Sequence, residues 1–260
     1  MRIDWGTLAG LLLAFGGIAA GLTLEGGSLY EILQPTAALI VFGGTFGATL
    51  VAEPLPVVWG ACRQLTVVFA EPRYQLQTAI EEIISLANQA RRHGIVSLDK
   101  KIQDIADPFL HKAMSLAVDG TDPKDLRGIL ENEIDQDMGR REAEAQVFES
   151  AGGFAPTIGI IGAILGLIQV MKHLDDISEV GKGIAVAFVA TIYGVGIANL
   201  VLLPGAKKIL ARARQLETVK FLMLEGAVGL AEGLNPRLIR SRLEAFVEPA
   251  NRESADETDD

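Results

Sequence analysis

Hydrophobic and polar positions along this chain fall into long blocks rather than a short repeat. Four stretches contain no charged residue: 6–24, 32–52, 150–171 and 183–206. Each has about the 17 to 25 residues that a helix needs to cross a hydrocarbon core. A buried core helix accounts for one such stretch, but four of them in 260 residues predict membrane spans. They form two predicted membrane hairpins, over 1–52 and 150–206.

Lysine and arginine are unevenly distributed among the segments that connect these spans. Eleven lie between residues 53 and 149 and nine lie after residue 206, whereas none lies between 25 and 31. Connecting segments rich in Lys and Arg stay on the cytoplasmic side of a membrane. We therefore expect a multi-pass membrane protein with both termini in the cytoplasm.

The polar segments are expected to be cytoplasmic and mostly helical. Residues 53–149 predict a helical domain between the second and third spans, and residues 207–247 predict a C-terminal helical region. The last residues, 248–260, are acidic and lack apolar periodicity, which predicts a disordered tail. The predicted fold class is thus an all-α integral membrane protein with four transmembrane helices.

Helix signals are clearest in the middle segment. Apolar residues recur at helical spacing over 76–86, which predicts one helix. Asp122 can cap a second helix and Pro123 suits its first turn. Since no stop signal follows before Gly152, this second helix is expected to continue into the third span.

Residue chemistry typical of enzymes and nucleic-acid binders is missing from the sequence. The three histidines have no metal-ligand spacing, and the single cysteine, Cys62, has no catalytic signature and is expected to be a packing residue. A net charge of −10 and a pI near 4.9 argue against nucleic acid. We therefore expect no enzymatic activity, no cofactor and no metal site.

None of the four predicted spans contains Asp, Glu, Lys, Arg or His. Proton or cation transfer across a membrane generally uses such a group, so a partner would have to supply it. The last two spans do carry polar side chains, which either line a pathway or join helices: Thr157, Gln169, Thr191, Tyr193 and Asn199.

The third and fourth spans also carry glycines and prolines that weaken a helix in water. In the run FAPTIGIIGAILGLI, Gly159, Gly162 and Gly166 predict close approach of a neighbouring helix. Pro156 and Pro204 each remove an amide donor and can free the carbonyl four residues earlier. Both prolines fall near the predicted cytoplasmic face, which indicates either a hinge there or simple tolerance of proline near a helix end.

Five stretches of the chain carry a resemblance to a known family. They are LQPTAALIVFGGTFGATLV at 33–51, ARRHGIVSLD at 90–99, DPFLHKAMSLAVDGTDP at 107–123, GGFAPTIGIIGAILGLIQVM at 152–171 and GKGIAVAFVATIYGVGIANLVLLPGAKKI at 181–209. Together with the two-hairpin layout they resemble the flagellar stator A-subunit family, called MotA in proton-driven motors and PomA in sodium-driven ones.

The resemblance implies a homo-oligomeric ring of A-subunits, expected to be a pentamer, around two copies of a B-type stator subunit. That MotB- or PomB-like subunit would supply the transmembrane aspartate that carries the ion. Ion passage would move the ring, and the cytoplasmic domain would act on the flagellar rotor switch protein, FliG.

Site residues follow from the same resemblance. The family's two functional prolines match Pro156 and Pro204, and its torque-generating arginine matches Arg91, with Arg92 beside it. Its acidic partner matches Asp99, where Glu is commoner in the family.

The ion-pathway positions match the third and fourth spans. The family's fourth-span threonine matches Thr191, and Thr157 and Tyr193 lie in the same two spans. Ala163 occupies a position at which sodium-driven members carry a second threonine. Because a methyl group offers no oxygen ligand, the sequence favours protons over sodium.

Two other interpretations stay open. One is an ExbB/TolQ-type ion-driven transducer, although such proteins have one span before their large loop and this chain has two predicted ones. The other is a passive membrane scaffold, which would need neither the matched prolines nor a B-type partner.

Overall fold

The computed structural model describes residues 2–71 and 76–247, so the predicted tail at 248–260 lies outside the described residues. Within them the chain is almost entirely helical, as predicted. The described α-helices, in chain order, are α1 (Trp5–Leu24), α2 (Leu29–Ile32), α3 (Pro35–Ala38), α4 (Gly44–Ala52), α5 (Leu55–Phe69), α6 (Leu76–His93), α7 (Asp99–Ile102), α8 (Pro108–Val118), α9 (Pro123–Lys172), α10 (Ile177–Ile197), α11 (Leu203–Ala231) and α12 (Pro236–Glu244).

Short elements of other types complete the described fold. The strands β1 (Arg2–Ile3) and β2 (Ala70–Glu71) pair antiparallel, with Arg2 opposite Glu71. A 3₁₀ turn follows α6 at Ile95–Leu98, and π-helical turns occupy Leu39–Gly43 and Ala198–Leu202. A π-helical turn inserts one extra residue into a helical turn and often marks a functional site.

The chain divides into two compact units. The first contains residues 1–72 and 140–212, and the second contains residues 73–139 and 213–260. Within residues 2–71 and 76–247, four helices are long and apolar enough to cross a membrane, namely Trp5–Leu24, Pro35–Ala52, Pro123–Lys172 and Ile177–Ala231. Each overlaps one of the four charge-free stretches.

Helix boundaries differ from the expected ones for local reasons. The second of these apolar helices begins at Pro35, in the first turn of α3, because the preceding residues form the separate short helix α2. The fourth begins at Ile177 because the Asp176 side chain caps it, accepting the Ser178 N–H at 2.9 Å. It continues through α11 to Ala231, so the predicted C-terminal region begins inside this helix. The predicted run of one helix into the third span is confirmed by α9.

The helix α1 lies at the surface of the first unit, since none of the residues of α1 is buried. The Asp4 side chain caps α1 by accepting the Thr7 N–H at 3.0 Å. At the other end Gly26, with φ +82°, provides the left-handed residue that closes a helix. An apolar helix without a polar face is what a lipid-facing span requires.

The second unit has a continuous hydrophobic core. Its largest fully buried side chains are Ile80, Ile83, Leu98, Leu110, Met114, Leu126, Leu130, Ile134, Leu222, Leu224 and Ile239. Ion pairs join the same helices, among them Arg127 with Glu225 at 2.6 Å and Arg240 with Glu81 at 2.8 Å. The Glu225 carboxylate raises the pKa of Arg127, as a close ion pair should.

Candidate functional site: the paired proline turns and the Arg91 surface

The turns that precede Pro156 and Pro204 lie against each other in the first unit. Pro156 is inside α9 and has no N–H to donate to the Gly152 carbonyl. A Cβ at Gly152 would lie 2.7 Å from Cδ2 of Leu203, so a larger residue at position 152 would force the Leu203 side chain to shift. Leu203 directly precedes Pro204, and the π-helical turn Ala198–Leu202 precedes Leu203. Two helical turns with weakened backbone hydrogen bonding thus form one contact.

Glycines bring the backbones of α9 and α10 together further along the same two helices. A Cβ at Gly159 would lie 2.9 Å from the Ala190 oxygen, and one at Gly166 would lie 2.9 Å from the Ala187 nitrogen. A Cβ at Gly194 would clash with the Ala155 oxygen. The predicted role of the glycines in close helix packing is confirmed, and Gly162 contributes by facing the Ala190 side chain.

The predicted pathway hydroxyls are held by their own helices. Thr191 is half-buried and donates from Oγ1 to the Ala187 oxygen at 3.2 Å. Thr157 is exposed and donates to the Phe154 oxygen at 2.7 Å. Ala163 is half-buried and Pro204 is exposed. Each hydroxyl keeps acceptor capacity for a further group.

Tyr193 on α10 makes a contact that the sequence did not predict. Its hydroxyl donates to the Ile32 carbonyl and accepts the Gln34 N–H at 3.3 Å. Its ring stacks on Phe42 with centroids 5.7 Å apart. Tyr193 therefore ties α10 to the end of α2 and the residues that follow it, and its role on an ion pathway stays a prediction.

Thr45 is a buried polar side chain that the sequence did not single out. It is 7% exposed, and its Oγ1 has no hydrogen-bond partner among the residues that the structure describes. Ala37, Val41 and Thr49 share its buried stripe at four-residue intervals. The four-residue spacing of these small and β-branched residues could have indicated a buried helix face. It was missed because the predicted second span contains no charged residue that would mark the opposite face as exposed.

A second missed feature is the charge cluster at the start of α1. The Asp4 carboxylate is 8% exposed, and its Oδ2 lies 2.5 Å from Lys208 Nζ and 2.9 Å from Arg212 Nη2. The hydrogen bond from Lys208, then that from the Thr7 amide, hold the pKa of Asp4 well below its usual range against the opposing effect of burial. An acidic residue just before an apolar run is a helix-cap signal, but its partners lie about 200 residues away in sequence.

The predicted rotor-facing residues lie in the second unit. Arg91 and Arg92 are exposed in the last turn of α6, and Asp99 is exposed at the start of α7. Arg91 Nη1 donates to Asn235 Oδ1 at 3.0 Å. Among the described residues the structure pairs Arg91 with this neutral amide and does not bring it to Asp99.

Cys62 is exposed on α5, so the expectation that it packs in the interior of this chain is wrong. The residue follows the buried Ala61, and one step along a helix turns a side chain by about 100°. The sequence offered only the residue type, which is usually buried.

Comparison with known proteins gives two matching families. Residues 8–94 match the motility protein A N-terminal family, and residues 101–220 match the MotA/TolQ/ExbB proton channel family. A motility protein A from Bacillus subtilis is 34% identical over 96% of this chain and 93% of its own length.

Solved structures agree with the sequence matches. A structure of C. jejuni MotAB matches with a TM-score of 0.90 and 30% identity, over 95% of this chain and 97% of that one. The flagellar MotAB stator complex from Bacillus subtilis matches with a TM-score of 0.89 and 32% identity, over 96% and 99% of the two chains.

Proposed function

We propose, from the premise that this chain belongs to the motility protein A family, that it is the A-subunit of a flagellar stator. With a B-subunit it forms an ion channel of the inner membrane and converts ion flow into torque on the rotor. The observation that carries the mechanism is the contact between the two proline turns, at Gly152 and Leu203.

The proposed topology has four transmembrane helices with both termini in the cytoplasm. The apolar helices of the first unit would form the membrane part. The polar helices of the second unit, with most of the Lys and Arg residues, would form the cytoplasmic part. A pentameric ring around the B-subunits would cover apolar side chains of α9 and α10 that this chain leaves exposed, such as Ile164 and Phe188.

The proposed mechanism starts at a membrane aspartate of the B-subunit, because this chain has no acid in its spans. Thr191 and Ala163 would face that aspartate at the ion-binding depth, and Thr157 would lie on the same pathway. Loading the aspartate would bias the packing of the paired proline turns. A turn with an unpaired carbonyl bends at lower cost than an intact one, so Pro156 and Pro204 would act as hinges.

Protons are the proposed coupling ion. Sodium prefers several oxygen ligands, as hard cations do, and Ala163 offers none. The hydroxyl of Thr191 already donates within its helix. A proton needs only the aspartate itself and a hydrogen-bonded path.

The output of the proposed mechanism is a charged surface in the second unit. Arg91 and Arg92 would meet carboxylates of FliG, and Asp99 would meet its cations. The exposure of all three side chains supports this role, since their charged ends are open to a partner.

An ExbB/TolQ-type transducer is the second candidate, and the match of residues 101–220 to a family that includes both kinds of protein favours considering it. The match of residues 8–94 to the motility protein N-terminal family argues for the stator.

The test is swimming of a strain that lacks this gene and any other A-subunit gene, with filaments counted in the same cells. We expect normal filament numbers, no rotation, and rescue by the wild-type gene but not by Arg91→Glu or Pro156→Leu copies. Rotation without the gene would refute the stator role. An outer-membrane uptake defect in rotating cells would support the transducer instead.

A further inference from the structure

A cavity of about 450 Å³ lies beside Arg91 in the second unit. It forms where the end of α6, the end of α11 and the start of α12 meet. Gly94 follows α6 with φ +80°, and Gly233 follows α11 with φ +69°. A positive φ is a backbone conformation that favours glycine. The Gly233 N–H bonds the Leu230 oxygen and the Leu234 N–H bonds the Gly229 oxygen, both at 3.0 Å. This pattern is a Schellman closure, so helix ends with defined caps fix the shape of the cavity.

The walls of this cavity are mainly apolar. They include Ala87, Ala90, Leu230, Ala231 and Ile239. A cavity of about 150 Å³ lined by apolar side chains can already hold a benzene-sized group. The space beside Arg91 is therefore large enough for a bulky apolar side chain.

The polar part of the lining is Arg91 and Asn235. Asn235 Oδ1 accepts both from Arg91 at 3.0 Å and from the Arg237 N–H at 3.1 Å, where it caps α12. Because the partner of Arg91 is a neutral amide, the guanidinium charge is not compensated there. Arg92 lies in the same last turn of α6 and adds a second positive charge to this edge.

We propose that this cavity receives a large apolar side chain of the rotor protein, next to a carboxylate of that protein that pairs with Arg91. The identity of the partner rests on the proposed function. An exposed ion pair alone contributes little to binding, whereas apolar anchors in preformed pockets dominate binding energy at interfaces. The apolar contact supplies affinity, and the ion pair supplies orientation and encounter rate.

The test measures binding of purified FliG to the purified complex of this chain with its B-subunit. Ala90→Leu fills the cavity and keeps Arg91. Ser85→Leu adds the same bulk at an exposed position of α6 outside the cavity and is the matched control. We expect Ala90→Leu to weaken binding by about tenfold or more, the effect of losing one buried apolar side chain, with an unchanged salt dependence. Ser85→Leu should bind like the wild type.

Arg91→Gln separates the two contributions. It should weaken binding and flatten the salt dependence, because a screened charge pair is lost while the cavity stays open. Thermal unfolding of each complex, with Ser85→Leu as reference, checks that the Ala90→Leu variant is folded. A second cavity-filling variant, Ala231→Leu, repeats the measurement from α11.

Equal binding by folded Ala90→Leu, Ala231→Leu and Ser85→Leu complexes would overturn the proposal and leave the stator role intact. A second result would also overturn it: removal of residues 248–260 tightens FliG binding, and Ala90→Leu in the shortened chain does not weaken that binding. The chain's own acidic segment would then be the occupant. No binding by the wild-type complex, together with rotation of the deletion strain, would instead refute the proposed function.

Discussion

Replacing Asp4 by Asn should destabilise the chain although it changes few atoms. Asn keeps the oxygen that caps α1 at the Thr7 N–H, but it removes the charge that meets Lys208 and Arg212. The Arg212 side chain is 12% exposed and that of Lys208 is 32% exposed. Both cations would thus lose the carboxylate between them, Arg212 at a nearly buried position and Lys208 at a partly exposed one.

The magnitude follows from this burial. Breaking a buried ion pair by removing one partner costs about 3 to 5 kcal/mol. Because Lys208 is one third exposed, we expect the lower end, about 3 kcal/mol. For a chain of this size that corresponds to a fall in Tm of roughly 6 to 12 °C. Asp4→Ala should cost about 1 kcal/mol more, since it also removes the helix cap.

The pH dependence has a definite sign. The pKa of Asp4 is held below its usual range in the folded chain, so the unfolded chain binds this proton more tightly. Its stabilisation is fully present above the unfolded pKa of about 3.9 and is lost as the pH falls toward the folded pKa. Between about pH 5 and 8 the difference between wild type and Asp4→Asn should therefore be constant.

The assay is thermal unfolding of the detergent-purified complex followed by tryptophan fluorescence. A double variant, Asp4→Asn with Arg212→Gln, should lose less than the sum of the two single losses because both changes remove the same ion pair. A Tm of Asp4→Asn equal to that of the wild type would refute the reasoning. So would a double variant whose loss is the sum of the two single losses.

Three further substitutions have defined outcomes in the same unfolding assay. Tyr193→Phe keeps the ring stack but leaves the Ile32 oxygen and the Gln34 N–H without this partner. The free energy of unfolding should therefore fall by about 1 to 3 kcal/mol. An unchanged Tm would show that the contact does not stabilise the chain. Gly166→Ala should destabilise the chain by about 1 to 3 kcal/mol, since the new Cβ would lie 2.9 Å from backbone atoms of α10. The control Gly17→Ala has open space and should be neutral. Equal effects of the two variants would contradict the close packing of α9 and α10. Thr45→Val should be neutral or stabilising because its hydroxyl has no partner, and a loss of stability would contradict that assignment.

Much of the fold could be predicted because its signals are local. Charge-free stretches of membrane length identify the four long apolar helices, and the absence of a stop signal predicts the unbroken α9. The glycines of the third span predicted a close neighbour, which is α10. These features depend on composition and on spacing within one helix.

The features that could not be predicted depend on distant pairs. Arg91 meets Asn235 across 144 residues, and Tyr193 meets Ile32 across 161. No periodicity in one segment can show which partner a polar side chain will find. The sequence therefore could not show that the Tyr193 hydroxyl joins α10 to the end of α2.

The rotation speed of single tethered motors tests most directly whether the paired proline turns couple ion flow to torque. The chain is re-expressed gradually in a strain that lacks all A-subunits. The account predicts that speed rises in discrete equal steps with the wild-type chain. With Pro156→Leu, present in the membrane in equal amount and bound to its B-subunit, no steps should appear. Steps of normal height with Pro156→Leu would contradict the account.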